Sequence, residues 1–263
     1  MPQCVVNFSG GAGSYVAAKR AIAKYGPDET VLLFADTKTE DEDLYRFLDD
    51  CERVLPAKLI RVADGRDIWQ LFKDVRFLGN NRVAPCTTQL KKKVSDDWYA
   101  ANAPNAIRVF GIDVSEIHRA KRLEKALSPI KTWFPLLEKP FLTKQGCFDE
   151  IASDGIKLPR LYTIGAPHNN CGGACVKAGM AHWRWLYHAL PCVYAEWERK
   201  EQEMRDYLDA DVSILRDRTG EESSTLTLAD FRKRIEAKAP TLWDEEWGGC
   251  GCFTDTNALK GGE

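Results

Sequence analysis

Nine cysteines in 263 residues are the first chemical signal in this chain, and their spacing divides them. Cys171-x-x-x-Cys175 and Cys250-x-Cys252 are paired and flanked by glycines that let a backbone fold around an ion or cluster. Cys86 follows Pro85 and precedes Lys91-Lys92-Lys93, basic residues expected to lower a thiol's pKa. Three sites thus supply five thiolates, and four suffice for a [4Fe–4S] cluster or a structural zinc. The C-x-C spacing is not that of ordinary zinc fingers. Redox or persulfide-carrying cysteines without a metal, including a disulfide-exchanging pair, stay open as an alternative. Cys4, Cys51, Cys147 and Cys192 have no paired spacing and read as small buried hydrophobes.

The second signal is the turn Phe8-Ser9-Gly10-Gly11-Ala12-Gly13-Ser14. Backbone amides in such a turn can point at a phosphate, and a helix N-terminus behind it adds positive potential. No Gly-Lys-Ser/Thr follows, so it is not the mononucleotide P-loop. The dinucleotide fingerprint G-x-G-x-x-G is also absent. A tight turn without a ligand is the bland alternative. Asp36 ends a later apolar run, where it could orient a ribose or a metal or simply cap the next helix.

The elements that must position these groups alternate. Gln3 to Phe8 is a β-branched run, Ser14 to Lys24 is Ala-rich and helical, and Thr30 to Ala35 is a buried strand. Leu44, Phe47, Leu48, Cys51 and Leu55 recur at helical spacing, and Lys58 to Val62 and Ala106 to Ile112 are further strand candidates. This order predicts a doubly wound parallel α/β sheet, with ligands beyond the carboxyl ends of its strands. The irregular stretch from Asp64 to Tyr99 reads as a surface insertion. Val176, Met180, Trp183, Tyr187 and Leu190 fit one helical face, Tyr194, Trp197, Met204 and Leu208 another, and Thr227 to Asp230 a helix start. The expected layout is a nucleotide-binding α/β domain over residues 1–158 and a helical, cysteine-containing region over 159–263.

Composition narrows the class. Hydrophobic residues at 44% and charged residues at 29% argue against a disordered chain. Thirty-seven Lys and Arg against 39 acids give a net charge of −2, which is not that of a general nucleic-acid coat protein. A nucleic-acid substrate would have to meet local basic patches, of which Lys91–Lys93 and His118–Lys125 are the candidates. The start of the chain has no secretory pattern and no apolar run is long enough to span a membrane, so a cytoplasmic protein with reduced thiols is expected.

Taken together, the turn resembles the S-G-G-x-x-S pyrophosphatase loop of the adenine nucleotide α-hydrolase superfamily (the PP-loop ATP pyrophosphatases). Phe34-Ala-Asp36-Thr37 with Glu40, Cys86-Thr-Thr-Gln-Leu90-Lys91, Gly111-Ile112 with Ser115-Glu116 and Arg119, and Phe134-Pro135-Leu136 are similar to motifs of its phosphoadenylylsulfate-reductase-like branch. The two C-terminal cysteine motifs resemble those of uncharacterised, often phage or mobile-element, members. The chain departs from the pattern at Ala12-Gly13, at Lys38 where a glycine is usual, and at Asp113 where an arginine is usual. The resemblance implies that Ser9, Gly10, Gly11, Gly13 and Ser14 hold the phosphates of ATP with Mg²⁺, and that Asp36 and Gly111 help to bind the nucleotide. It gives Ser9, Asp36, Lys91 and Arg119 catalytic roles. It implies adenylation of a substrate oxygen and its replacement by sulfur, on tRNA or DNA, with a [4Fe–4S] cluster on Cys86, Cys171, Cys175 and Cys250 or Cys252 and a sulfur donor such as a cysteine desulfurase. Two other expectations remain open: a sulfonucleotide reductase, and a non-catalytic nucleotide-binding module.

Overall fold

The computed structural model describes residues 1–218 and 223–237. Five parallel strands, β1 (Cys4–Asn7), β2 (Thr30–Asp36), β3 (Lys58–Ala63), β4 (Ile107–Val109) and β5 (Thr132–Trp133), form a sheet in the order β3-β2-β1-β4-β5. The helices in chain order are α1 (Ala12–Tyr25), α2 (Glu42–Val54), α3 (Ile68–Asp74), α4 (Val94–Asn102), α5 (Ile117–Leu127), α6 (Lys144–Ser153), α7 (Arg160–Thr163), α8 (Met180–Ala189), α9 (Pro191–Leu208) and α10 (Leu228–Glu236). A small antiparallel pair, β6 (Leu215–Asp217) and β7 (Ser224–Leu226), lies between α9 and α10.

The α/β, parallel character expected from the alternating runs is what the strands show. Successive strand residues face opposite ways, and both faces are covered. Cys4, Val6, Leu32 and Phe34 pack with Tyr15, Phe47 and Ile151 from α1, α2 and α6, whereas Val5 and Leu33 pack with Tyr99 of α4 and the following Ala103. β5, at two residues, is too short to leave a readable pattern. The chain runs outward from β1 to β3 and then returns to the other side of β1 as β4. The loops after β1 and β4 therefore diverge, and a crevice opens at the carboxyl ends of these two strands.

A second core contains Trp69 and Phe72 of α3, Leu78 and Leu90, packed with Trp183, Trp197, Met204 and Phe231 from the C-terminal helices. The Trp69 and Trp197 rings lie 4.9 Å apart, and the Trp197 and Trp183 rings 5.4 Å apart. The stretch from Asp64 to Tyr99 is thus not a surface insertion. Ile68, Trp69, Leu71 and Phe72 fall within one short helix and are all buried. Residues near Val176 also behave differently from the expected helical face. α8 begins only at Met180, after Gly179, and Val176 is buried in the turn before it. Tyr194, Trp197 and Met204 are buried on α9 as their spacing predicts, and Thr227 caps α10 by accepting the Asp230 N–H at 3.1 Å. Cys4, Cys51 and Cys147 are buried, but Cys192 is exposed, because it is the second residue of α9 and faces away from that core.

Candidate functional site

The turn between β1 and α1 is built for close backbone approach. Gly10 adopts φ 72°, a left-handed value that suits glycine. A Cβ on Gly13 would sit 2.6 Å from the Gly111 carbonyl oxygen, and one on Gly111 would sit 2.4 Å from the Gly13 carbonyl carbon. The two glycines therefore interlock the start of α1 with the loop after β4. Gly11 is the N-cap of α1, with no side-chain cap, and the first turn holds no acid. The Ser14 hydroxyl donates to the Gly11 carbonyl at 2.7 Å, and Ser9 Oγ donates to Ser14 Oγ at 3.4 Å. Two residues from the C-terminal half complete the turn. Ala12 N–H donates to the Tyr162 hydroxyl at 3.2 Å, and Asn169 Nδ2 donates to the Gly10 carbonyl at 2.9 Å.

The crevice encloses a cavity of about 780 Å³, within the range of small-molecule sites. Ser9, Gly11, Gly13, Ser14, Lys91, Gly111 and Arg119 line it, so most of the nucleotide-site residues expected from the sequence share one space. Phe110, Ile112, Leu123 and Phe141 provide an apolar wall, and the Phe110 ring stacks on Phe134 at 5.8 Å. Arg119, on the first turn of α5, pairs with Glu116, and its Nε is buried with no hydrogen-bond partner among the described residues. Lys144 also lines the cavity, and burial lowers its pKa although Asp113 and Glu116 oppose the shift. Its place on the wall was invisible in the sequence.

Gly10 and Asp36 stand behind the cavity lining. The Asp36 carboxylate accepts the Lys38 N–H at 2.8 Å and the Tyr45 hydroxyl at 2.9 Å, and pairs with Lys38 Nζ at 3.0 Å. Burial acts to raise its pKa, but these donors together hold it below the ordinary range. It does not cap α2. Asp41 does, accepting the Asp43 N–H at 2.9 Å.

Next to the cavity lies a thiol cluster. Thr87–Lys93 form a π-helical turn, a form often found at functional sites, and it separates the fates of three adjacent lysines. Lys91 is buried, Lys93 is exposed and pairs with Asp97, and Lys92 lies between these extremes. Lys91 Nζ is 3.5 Å from Glu40 Oε1 and 3.9 Å from Cys171 Sγ. The same Glu40 accepts the Cys171 N–H and, at 3.0 Å, the Thr37 hydroxyl. Cys171 itself takes a left-handed φ of 54°, rare outside glycine, and Gly172 and Gly173 continue the turn at 60° and 83°. Buried His182 Nε2 is 2.6 Å from the Gly173 carbonyl and holds that turn in place.

Basic neighbours do not activate Cys86. Lys91 favours its thiolate, but burial is the larger effect and pushes the thiol up to about 12. The Cys171 thiol is also raised well above its usual value, by neighbouring Cys175 and by burial, against an opposing pull from Lys91. Cys86, Cys171 and Cys175 thus belong to one neighbourhood, whereas Cys250 and Cys252 lie outside the described residues. Among the described residues no group of three or more His, Cys, Asp or Glu is arranged to hold a metal ion. No described helix is long and apolar enough to cross a membrane.

Sequence reasoning missed Tyr162, Asn169, Lys144 and His182. None lies in a periodic or spaced pattern, and each acquires its place only through long-range contact. No protein-family model matches this chain, and no curated protein matches it in sequence.

Proposed function

We propose that this chain is an ATP pyrophosphatase of the phosphoadenylylsulfate-reductase-like kind, which adenylates a substrate oxygen and supports its replacement by sulfur on tRNA or DNA. One observation carries the reading. A glycine-rich helix start whose N-cap Gly11 offers no side chain, a buried lysine and an arginine whose Nε has no partner among the described residues open on one cavity at the point where the strand order reverses, and the lysine also touches a thiol cluster. Anions are favoured at such a helix start, and an arginine suits developing phosphate charge.

In this chemistry the substrate oxygen attacks the α-phosphorus of ATP, and the bond to pyrophosphate breaks. The Gly13 and Ser14 amides and Arg119 would meet the phosphate oxygens, and the apolar wall of Phe110, Ile112 and Phe141 would receive the base. Mg²⁺ would supply further charge neutralisation for the leaving pyrophosphate. Cys86, Cys171 and Cys175, with Cys250 or Cys252, are the residues that would hold a [4Fe–4S] cluster or zinc, and sulfur would arrive from a donor protein such as a cysteine desulfurase. The backbone at Lys38 also supports the reading. It is left-handed at φ 57°, so the position where the resembled family has glycine keeps a glycine conformation here, with Lys38 held by Asp36.

The test is release of pyrophosphate from ATP by anaerobically purified protein in the presence of bulk tRNA or DNA, and of AMP when sulfide is added, with metal analysis of the same sample. Ser9→Ala/Gly11→Ala is expected to abolish turnover, and unchanged turnover in that variant would overturn the loop assignment. Sulfite release from a labelled sulfonucleotide would instead identify a reductase.

A further inference from the structure

Tyr162 occupies an unusual place for a residue so far along the chain. Its hydroxyl accepts the Ala12 N–H at 3.2 Å, the first amide of α1, where an anionic oxygen would sit on an uncapped helix. A Cβ on Gly11 would stand 3.2 Å from the same hydroxyl, so the phenol lies against the glycine turn itself. Its ring is supported independently of the hydroxyl, by Phe148 at 4.8 Å and by the Lys144 ammonium at 5.0 Å. The Gly13 and Ser14 amides, by contrast, have no side-chain partner among the described residues.

The segment that follows Tyr162 joins this turn to the thiols. Asn169, 2% exposed, ties the Gly10 carbonyl, and its Oδ1 has no hydrogen-bond partner among the described residues. Two residues on, Cys171 donates its N–H to Glu40 and lies 3.9 Å from Lys91 Nζ. Only Asn170 separates the residue tied to the turn from Cys171, so a change at the turn has a short covalent route to that thiol.

Resting on the reading of the cavity as a nucleotide site, we propose that Tyr162 is a displaceable cap. Its hydroxyl holds the Ala12 amide in the free protein, a phosphate oxygen takes that amide when nucleotide binds, and displacement of the phenol shifts the Asn169–Cys171 segment. Phosphate binding and thiol exposure are then two readings of one equilibrium. Tyr162 is a positioning residue in this scheme. Removing its hydroxyl removes a competitor of the ligand.

The experiment compares wild-type protein with Tyr162→Phe, which keeps the ring contacts, using ATP and inorganic pyrophosphate as separate probes in calorimetric titrations. The rate of Cys171 alkylation by iodoacetamide is followed by mass spectrometry with and without each probe. The expected result is binding about 2- to 10-fold tighter in Tyr162→Phe, the worth of one net hydrogen bond. Alkylation of Cys171 should respond to the probe in wild type and should differ between the two free proteins. Equal or weaker binding in Tyr162→Phe would overturn the proposal, as would failure of both proteins to bind either probe. Tighter pyrophosphate binding by Tyr162→Phe without ATP binding by either protein would keep the cap and remove the nucleotide reading.

Discussion

Lys91 shows how far a single side chain departs from its sequence context. Within Lys91-Lys92-Lys93 it looks like one of three solvated cations, yet it is buried beside Glu40 and Cys171. Lys91→Met would leave the Glu40 carboxylate, only 2% exposed, without its cation, and removing one partner of a buried pair typically costs about 3–5 kcal/mol. Chemical denaturation should show a loss of that size, accompanied by slower Cys171 alkylation at pH 8, because Lys91 is what pulls the thiol's pKa down. A variant as stable and as reactive as wild type would remove Lys91 from the thiol neighbourhood. At this scale the sequence was informative where chemistry is local. Ser9 to Ser14 were legible because strand, glycines and helix are contiguous. Tyr162 and Asn169 were not, since they meet the same turn across 150 and 159 residues. The expected activation of Cys86 failed for a related reason. Neighbouring lysines can be counted in a sequence, but the burial that outweighs them cannot.

Among the elements, α9 contains the clearest titrating group. Glu201 is buried and accepts the Ile214 N–H at 2.8 Å and the Leu228 N–H at 2.5 Å, so it clamps the segments leading into β6 and α10 against α9. Burial raises its pKa to about 7, with the two amides opposing and Arg205 and Glu198 contributing smaller and opposite effects. A carboxyl whose folded pKa exceeds its unfolded value binds its proton more tightly in the native state. Its contribution is complete below the ordinary carboxylate range near 4.3 and is lost as pH rises toward 7. Thermal unfolding followed from pH 4.5 to 7.5 should therefore show a decline that Glu201→Gln flattens. A profile in the variant parallel to wild type would contradict this. Glu201→Ala leaves two buried amides without an acceptor and should cost about 2–4 kcal/mol at any pH in that range. The helix itself was readable from Tyr194, Trp197 and Met204, but Glu201 shares that buried side and has a charge, which an apolar pattern cannot reveal. The π-helical turn of Thr87–Lys93 was equally hidden, because no residue type announces it.

For the molecule as a whole, the sheet core carries the cavity and a second core joins α3 to the C-terminal helices. Trp69 is the sharpest probe of the second core. If the stretch from Asp64 to Tyr99 were a surface insertion, Trp69→Ala would change stability by less than about 0.5 kcal/mol. Packed at 4.9 Å against Trp197, it should instead cost about 3–5 kcal/mol in equilibrium denaturation. The interlock of Gly13 with Gly111 yields a complementary expectation for the first core. Gly111→Ala forces a methyl group to within 2.4 Å of the Gly13 carbonyl carbon and 2.5 Å of the Ser14 nitrogen, so the variant should unfold at a markedly lower temperature or fail to accumulate. The parallel strands β1 to β4 could be anticipated from buried apolar runs alternating with helices, but their order and the two-residue β5 could not, because neither leaves a pattern in the sequence. Nor could the pairing of α3 with the C-terminal helices, because one short helix carries too few periods to show which partner it meets.

The closure of the β1–α1 turn by Tyr162 and Asn169 also has a meaning for biosynthesis. All five strands of the sheet lie before residue 134, so a nascent chain can emerge with its β1–α1 turn already formed and its first helix already in place. The residues that close that turn arrive from the ribosome later, as do the C-terminal helices that complete the second core around Trp69 and Phe72. For that interval the growing polypeptide has a phosphate-attracting helix start with neither Tyr162 over it nor Asn169 behind it. On the proposed reading, nucleotide present at that moment would meet an open half-site onto which the rest of the chain closes.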